Sequence, residues 1–377
     1  MAYAGFYLCR KNFSVLIPGV KQAMLRDLGS RDLAFIEMVR SIRSGLLDIA
    51  GVVGRGYEAI PVQGCGTMGI EAVVSSTVPR DGKLLVVTNG AYGRRIAKMA
   101  SMLGIETVRL ERPENRPVEG EKVKDALDRH AGMTHVAVVH GETTTGLLNP
   151  IEQIGEIVRG RGCCYIVDAM SSFGAVPLNM EEAGIDYLIS SANKCLQGVP
   201  GFSFVIARRS ALVETEGFTR GLSFDLFAQW KGLEDNGQFR FTPSTHALLA
   251  FHQALREFEQ EGGIHARAAR YRRNQEALLE GMRALGFEEY LRAEDQSCII
   301  TSFRYPDSPN FNFQDFYNNL NARGFVIYPG KVSDADCFRI GTIGHIFERD
   351  IHSLLSAIRE ALAEMNVALR PALVDGR

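Results

Sequence analysis

Lys194 lies in Ser190-Ser-Ala-Asn-Lys-Cys-Leu-Gln-Gly-Val-Pro-Gly201, and it is the only charged residue between positions 187 and 207. A lysine meant for solvent usually stands among other charges on a helix face. A desolvated one loses basicity and can act as a Schiff-base amine toward a carbonyl. Asp168 closes the apolar run Tyr165-Ile-Val167, where an acid is costly to bury unless a cation meets it. Gln63-Gly-Cys-Gly-Thr-Met-Gly69 matches GxGxxG after a strand-like run and opens a helix. Such a turn offers backbone N–H groups to a phosphate. A dinucleotide fold would also end its next strand in an acid that holds the ribose. Here that strand ends Val87-Thr-Asn-Gly90, which favours a single phosphate over NAD.

Three further stretches stand at predicted strand ends or on a short strand. Asn89-Gly-Ala-Tyr-Gly93 sets an aromatic between glycines, able to lie flat on a planar ring. His140-Gly-Glu-Thr-Thr-Thr-Gly146 brings three hydroxyls. Cys337-Phe-Arg-Ile-Gly341 puts Arg339 on an apolar strand, and its planar fork matches a carboxylate or phosphonate. Each stretch has a plainer reading as a tight turn, loop anchor, helix cap or ion pair. Together they supply a phosphate cradle, a ring stacker, an acid for a pyridinium nitrogen, an amine and an anion clamp. That is the set a pyridoxal phosphate enzyme needs.

The elements that must position them follow from the pattern. Apolar, β-rich runs at 59–63, 84–88, 135–140, 164–168, 187–190 and 202–207 alternate with helical stretches at 93–103, 122–130 and 151–161. Strands buried on both faces look like this, so the fold class is α/β, a mostly parallel sheet sandwiched by helices. Ligands of such sheets sit beyond the carboxyl ends of the strands. After about residue 244 come long helices at 245–260 and 266–285, strands at 298–303, 324–328 and 337–340, and a last helix at 348–364. We expect a divergent segment 1–19, a large cofactor-binding domain 20–244, and a helical connection with a small α+β domain at 245–377. The tail 370–377 reads as frayed.

Composition narrows the function classes. Net charge is −2, which gives no reason to expect nucleic acid or an acidic membrane as partner. No apolar run reaches the roughly 20 residues that span a bilayer. The seven cysteines are scattered without zinc-type spacing, as reduced thiols in a cytoplasmic protein would be. The eight histidines include no HExxH, and no metal is expected. Arg10 and Lys11 interrupt the mildly apolar start, unlike a signal peptide.

The stretches 89–93, 140–146, 166–174, 187–194, 197–201 and 326–331 resemble the class V aminotransferase group of the fold-type I pyridoxal phosphate enzymes. The resemblance runs from about residue 20 to 364. It implies that Lys194 carries pyridoxal 5'-phosphate, that Asp168 pairs with the pyridine nitrogen, and that Tyr92 stacks on the ring. Gly66, Thr67 and Met68 would hold the phosphate, with Thr143, Met170 and Asn193 beside the cofactor. Thr242, in Phe241-Thr-Pro-Ser-Thr-His246, would reach a phosphate across a homodimer interface, and Arg339 would clamp the substrate anion. The implied reaction moves the amino group of 2-aminoethylphosphonate to pyruvate, giving phosphonoacetaldehyde and L-alanine. Two readings stay open beside it: an alanine/serine–glyoxylate transaminase, and a cofactor-binding protein with impaired turnover. The second follows from a departure. Related enzymes begin with a Thr-Pro-Gly-Pro turn, whereas this chain reads Arg10-Lys-Asn-Phe13, as a divergent or frameshifted start would.

Overall fold

A computed structural model describes residues 9–10, 17–330 and 332–369. Its main sheet has seven strands: β1 (Tyr57–Gln63), β2 (Lys83–Thr88), β3 (Glu106–Glu111), β4 (His135–Val139), β5 (Cys164–Asp168), β6 (Tyr187–Ser191) and β7 (Phe202–Arg208). They lie in the order β1-β7-β6-β5-β4-β2-β3. Only β7 runs against the rest, pairing antiparallel with β1 and β6. Every residue of β4 and of β6 is buried, which is why these strands read as unbroken apolar runs. The edge strand β3, Glu-Thr-Val-Arg-Leu-Glu, is exposed or half-buried throughout and escapes the same reading. Charge along an open edge discourages pairing with another chain.

Helix Gly66–Thr77 packs on β6 and β7, and helix Ala91–Met102 on β2 and β3. The fold is thus α/β, with a mostly parallel sheet between helices. A smaller antiparallel sheet follows, β8 (Ile300–Arg304), β9 (Tyr328–Pro329) and β10 (Cys337–Gly341), in the order β8-β10-β9. The stretch 324–328, expected as one strand, is divided. Phe325–Val326 pairs with Cys9–Arg10, and Tyr328–Pro329 pairs with β10. The buried Ile327 marks the point where the chain changes sheets.

Buried apolar side chains form two large clusters, one drawn from Val20 to Phe258 and one from Leu278 to Val367. Helix Thr245–Glu261 belongs to the first through Leu248, Phe251 and Phe258. Gly262 and Gly263, at φ +104° and +70°, break the chain before helix Gly263–Ala284. That helix ends in the second cluster through Leu278 and Met282. Among the described residues no helix is long and apolar enough to cross a membrane. Positions 11–13 of the altered start, Lys331 and the tail 370–377 lie outside the described residues.

Candidate active site

Because six strands of the main sheet run the same way, their carboxyl ends share one edge. That edge collects Gly64 after β1, Asn89 after β2, His140 after β4, Asp168 on β5 and the Lys194 loop after β6. After β1, Gly64 takes a left-handed φ of +102° and Cys65 caps helix Gly66–Thr77 without a side-chain bond. The Met68 N–H turns back to Cys65 O at 2.9 Å. The Gly66 and Thr67 N–H groups have no acceptor among the described residues. Two unengaged amides at the positive end of a helix make a seat for an anion. Thr67 Oγ1 accepts from Arg95 Nη1 at 3.4 Å.

Asp168 is buried, and its Oδ1 accepts the Met170 N–H at 2.9 Å. Burial pushes its carboxyl up to about 6, against the pull of the Met170 N–H and the charges of Lys194 and Arg95. A carboxylate held there calls for a further cation, and a protonated pyridine nitrogen is one. A Cβ on Gly66 would overlap the Met170 sulfur, so Met170 packs directly against the start of helix Gly66–Thr77. Lys194 is half-buried between the buried Asn193 and Cys195. Its loop closes on itself through Gln197 N–H to Lys194 O at 3.0 Å and Gly198 N–H to Ala192 O at 2.8 Å.

Tyr92 stands in the first turn of helix Ala91–Met102, with the Arg95 guanidinium 4.9 Å from its ring centre. A Cβ on the next residue, Gly93, would lie 2.5 Å from the Val87 carbonyl oxygen. Glycine therefore lets this helix approach β2. Gly66, Thr67, Tyr92, Arg95, Asp168 and Met170 line one cleft. Wider depressions elsewhere, such as that between Arg116 and Gln153, gather no comparable chemistry. Beside the cleft, the Thr143 carbonyl accepts from Arg339 Nη1 at 2.6 Å, and Arg339 Nε donates to Pro329 O at 3.1 Å. Arg339, on β10, is buried.

Thr242 stands apart. It is exposed, and its carbonyl accepts from Gln63 Nε2 beside a second depression lined by Ser30, Arg31 and Arg240. Arg95, Glu142 and the amide pair Asn89–Asn149 also stand at this edge, and neither Arg95 nor the amide pair has a distinctive sequence signature. Asn89 Nδ2 donates to Asn149 Oδ1 at 2.8 Å and braces the ends of β2 and β4. Glu142 carries the same sequence signal as Asp168, an acid following an apolar strand, here masked by the three threonines after it.

An edge of this kind suits one phosphate and one protonated ring rather than a dinucleotide. The donors around the cleft fit pyridoxal phosphate, the cofactor of this fold. The chain belongs to the class-V aminotransferase family, whose pattern matches residues 22–335. It is a transaminase that moves amino groups between a small amine and a 2-oxo acid. It is 51% identical to the 2-aminoethylphosphonate–pyruvate transaminase of Syntrophobacter fumaroxidans, over 92% of this chain and 93% of that one. The corresponding protein of Klebsiella pneumoniae is 48% identical over 93% and 98%. Among solved structures, the ureidoglycine–glyoxylate aminotransferase of Bacillus subtilis superposes with a TM-score of 0.86 at 23% identity, covering 94% and 92% of the two chains. The pyridoxamine–pyruvate aminotransferase of Mesorhizobium loti gives 0.85 at 24%, covering 93% and 90%. These structural likenesses speak to the fold alone.

Proposed function

We propose that the chain transfers the amino group of 2-aminoethylphosphonate to pyruvate, releasing phosphonoacetaldehyde and L-alanine. The reading is carried by the near-full-length match to relatives bearing that activity in their names. The buried acid Asp168 and the Lys194 loop at neighbouring strand ends support it.

When bound, pyridoxal phosphate supplies the electron sink for the pair left at the amino-bearing carbon. Lys194 would carry the cofactor, and its amine, when free, would take the proton from the amino-bearing carbon of the substrate onto Nζ. Asp168 keeps the ring nitrogen protonated. Gly66 and Thr67, with Met68 in the same helix turn, would hold the phosphate. Tyr92 would stack on the ring, with Met170 lining the same cleft and Thr143 and Asn193 as further candidates beside it. Both substrates end in an anion. The Arg339 fork, its plane set by the Thr143 and Pro329 carbonyls, serves the phosphonate in one half-reaction and the carboxylate in the other.

A homodimer belongs to the same proposal. Thr242 is exposed yet bonded to Gln63, next to the phosphate turn, so a second copy laid on this rim would bring Thr242 to its partner's phosphate. A dimer by light scattering, and weaker cofactor binding in Thr242→Ala, are the expected results. A cytoplasmic setting is consistent with the free thiols of the described cysteines.

A coupled assay with 2-aminoethylphosphonate and pyruvate, following phosphonoacetaldehyde, tests the reaction. Turnover confined to alanine or serine with glyoxylate would replace it by the other transaminase. Bound cofactor without turnover on either pair would favour the impaired protein.

A further inference from the structure

We infer that Glu142 is a positioning residue for the cofactor ring, acting through Tyr92. Glu142 is fully buried, and its carboxylate faces the backbone of the helix that carries Tyr92. The carboxylate receives four donors. Oε2 accepts the Tyr92 N–H at 3.2 Å and the Gly93 N–H at 3.4 Å. Oε1 accepts the Thr144 N–H at 3.3 Å and the Thr144 hydroxyl at 2.6 Å. The same hydroxyl accepts the Ala91 N–H at 2.9 Å. The first three amides of helix Ala91–Met102 are therefore satisfied from outside the helix, one by Thr144 and two by Glu142.

The arrangement needs its neighbours' shapes. Gly90 precedes the helix and carries no side chain that could cap it. A Cβ on Gly90 would overlap the Glu142 carboxylate, so glycine leaves room for the acid. An anion at a helix start is stabilised by the amides and the dipole. Here the capped turn is the one that carries Tyr92, so the bond fixes where the ring stands relative to Asp168 across the cleft. The next residue along, Thr143, gives its carbonyl to Arg339, and one short segment thus holds both sides of the site. Burial pushes the Glu142 carboxyl up to about 7; the Thr144 donors and the Gly93 amide oppose the rise, and the nearby Asp168 adds to it. The acid is kept at a desolvation cost that an amide of the same shape would avoid.

The inference rests on the Tyr92 role proposed above, and the experiment separates the two. Glu142→Gln keeps the volume but puts an NH2 where one carboxylate oxygen accepts a backbone N–H, either from Tyr92 and Gly93 or from Thr144. We expect cofactor dissociation from the holoenzyme to rise by roughly ten- to hundredfold, with a changed visible circular dichroism of the bound cofactor. In a Tyr92→Leu background the same substitution should add less than about twofold, because the ring it positions is gone. An unchanged dissociation constant and spectrum in Glu142→Gln, or an equal loss in both backgrounds, overturns the inference. If Tyr92→Leu alone leaves cofactor binding intact, the stacking role of Tyr92 fails instead, and the inference falls with it. Should Glu142→Gln not fold, Thr144→Val removes the shared hydroxyl alone and must give a smaller loss in the same direction, again absent with Tyr92→Leu.

Discussion

Arg267 donates from Nη1 to the carbonyl oxygen of Cys195 at 2.5 Å, one residue past Lys194. The guanidinium is fully buried, and its Nε donates to Glu261 Oε2 at 2.7 Å. Arg270 takes the other oxygen of Glu261 at 2.8 Å and gives Nη1 to the carbonyls of Gly344 and Ile346 at 2.6 and 3.0 Å. One carboxylate at the end of helix Thr245–Glu261 thus orients two arginines at the start of helix Gly263–Ala284. One grips the lysine loop, and the other grips the loop after β10. Tyr271 completes the clamp by accepting from Gln197 Nε2 at 2.7 Å, where Gln197 holds a left-handed φ of +59°.

Arg267→Met should therefore cost about 3 kcal/mol of stability, since it strands a carbonyl and halves the cation set around Glu261. Arg267→Lys should rescue little, because a single ammonium cannot span both acceptors with a planar fork. Urea unfolding of the holoenzyme checks the first value. A kcat lowered beyond the loss of bound cofactor would show that the lysine loop itself has shifted.

Lys194→Ala should remove the visible absorbance of lysine-bound cofactor and abolish transamination. Persistence of both would displace Lys194 from its role. Retained folding by far-ultraviolet circular dichroism is the control.

Asp168→Asn should have opposite effects on turnover and on the stability of the cofactor-free chain. Turnover should fall because a neutral amide no longer favours the protonated ring. For stability, burial holds the folded carboxyl near 6 against an ordinary value of 3.8. The unfolded chain therefore ionises first as pH rises. The wild-type fold is at full strength below about pH 4, loses stability through pH 6, and stays at the lower level above. A gap of about 2 units corresponds to about 3 kcal/mol. Thermal unfolding should place cofactor-free Asp168→Asn above wild type at pH 8, with the difference shrinking toward pH 4.5. An equal difference at both values would point to packing rather than ionisation.

Asp168 and Lys194 stand out in the sequence because they are polar exceptions in apolar surroundings. Asp168 ends a buried strand, and Lys194 follows one. Glu142 is as isolated by type, but its role depends on the amides of Tyr92 and Gly93, about 50 residues away in the chain. Backbone donors leave no mark in composition. Arg267 is hidden for another reason. Helix Gly263–Ala284 carries Arg267, Arg270, Arg272 and Arg273, a density that suggests a solvated face. Only the fold brings Cys195, 72 residues distant, against it. The strand β3 and the division at Ile327 were unreadable because edges and sheet changes depend on which neighbours are present, not on local pattern.

Gly93→Ala should be among the most damaging single-methyl changes in the chain. The added carbon would sit 2.5 Å from the Val87 carbonyl oxygen, a backbone atom within β2 that cannot rotate aside. Relief requires moving helix Ala91–Met102, and Tyr92 with it, at a cost of about 1–3 kcal/mol. Gly160→Ala is the matched comparison. It ends helix Ile151–Gly160 with open space around it, so it should be neutral or stabilising by under about 1 kcal/mol. Melting temperatures of the two variants should move apart, and only Gly93→Ala should weaken cofactor binding.

Arg339 offers the sharpest test of the substrate assignment. Its Nη1 and Nε already serve the Thr143 and Pro329 carbonyls, so its place is fixed before any substrate arrives. If the fork also meets the phosphonate and the carboxylate, Arg339→Lys should raise KM for 2-aminoethylphosphonate and for pyruvate together, each by roughly tenfold or more. A lysine keeps the charge but not the paired donors, so kcat at saturation should change less than KM. A rise for one substrate alone would limit the clamp to one half-reaction. Unchanged KM for both, in a variant that still melts like wild type, would leave Arg339 as a brace between β10 and the Thr143 loop and move the anion site elsewhere on the sheet edge.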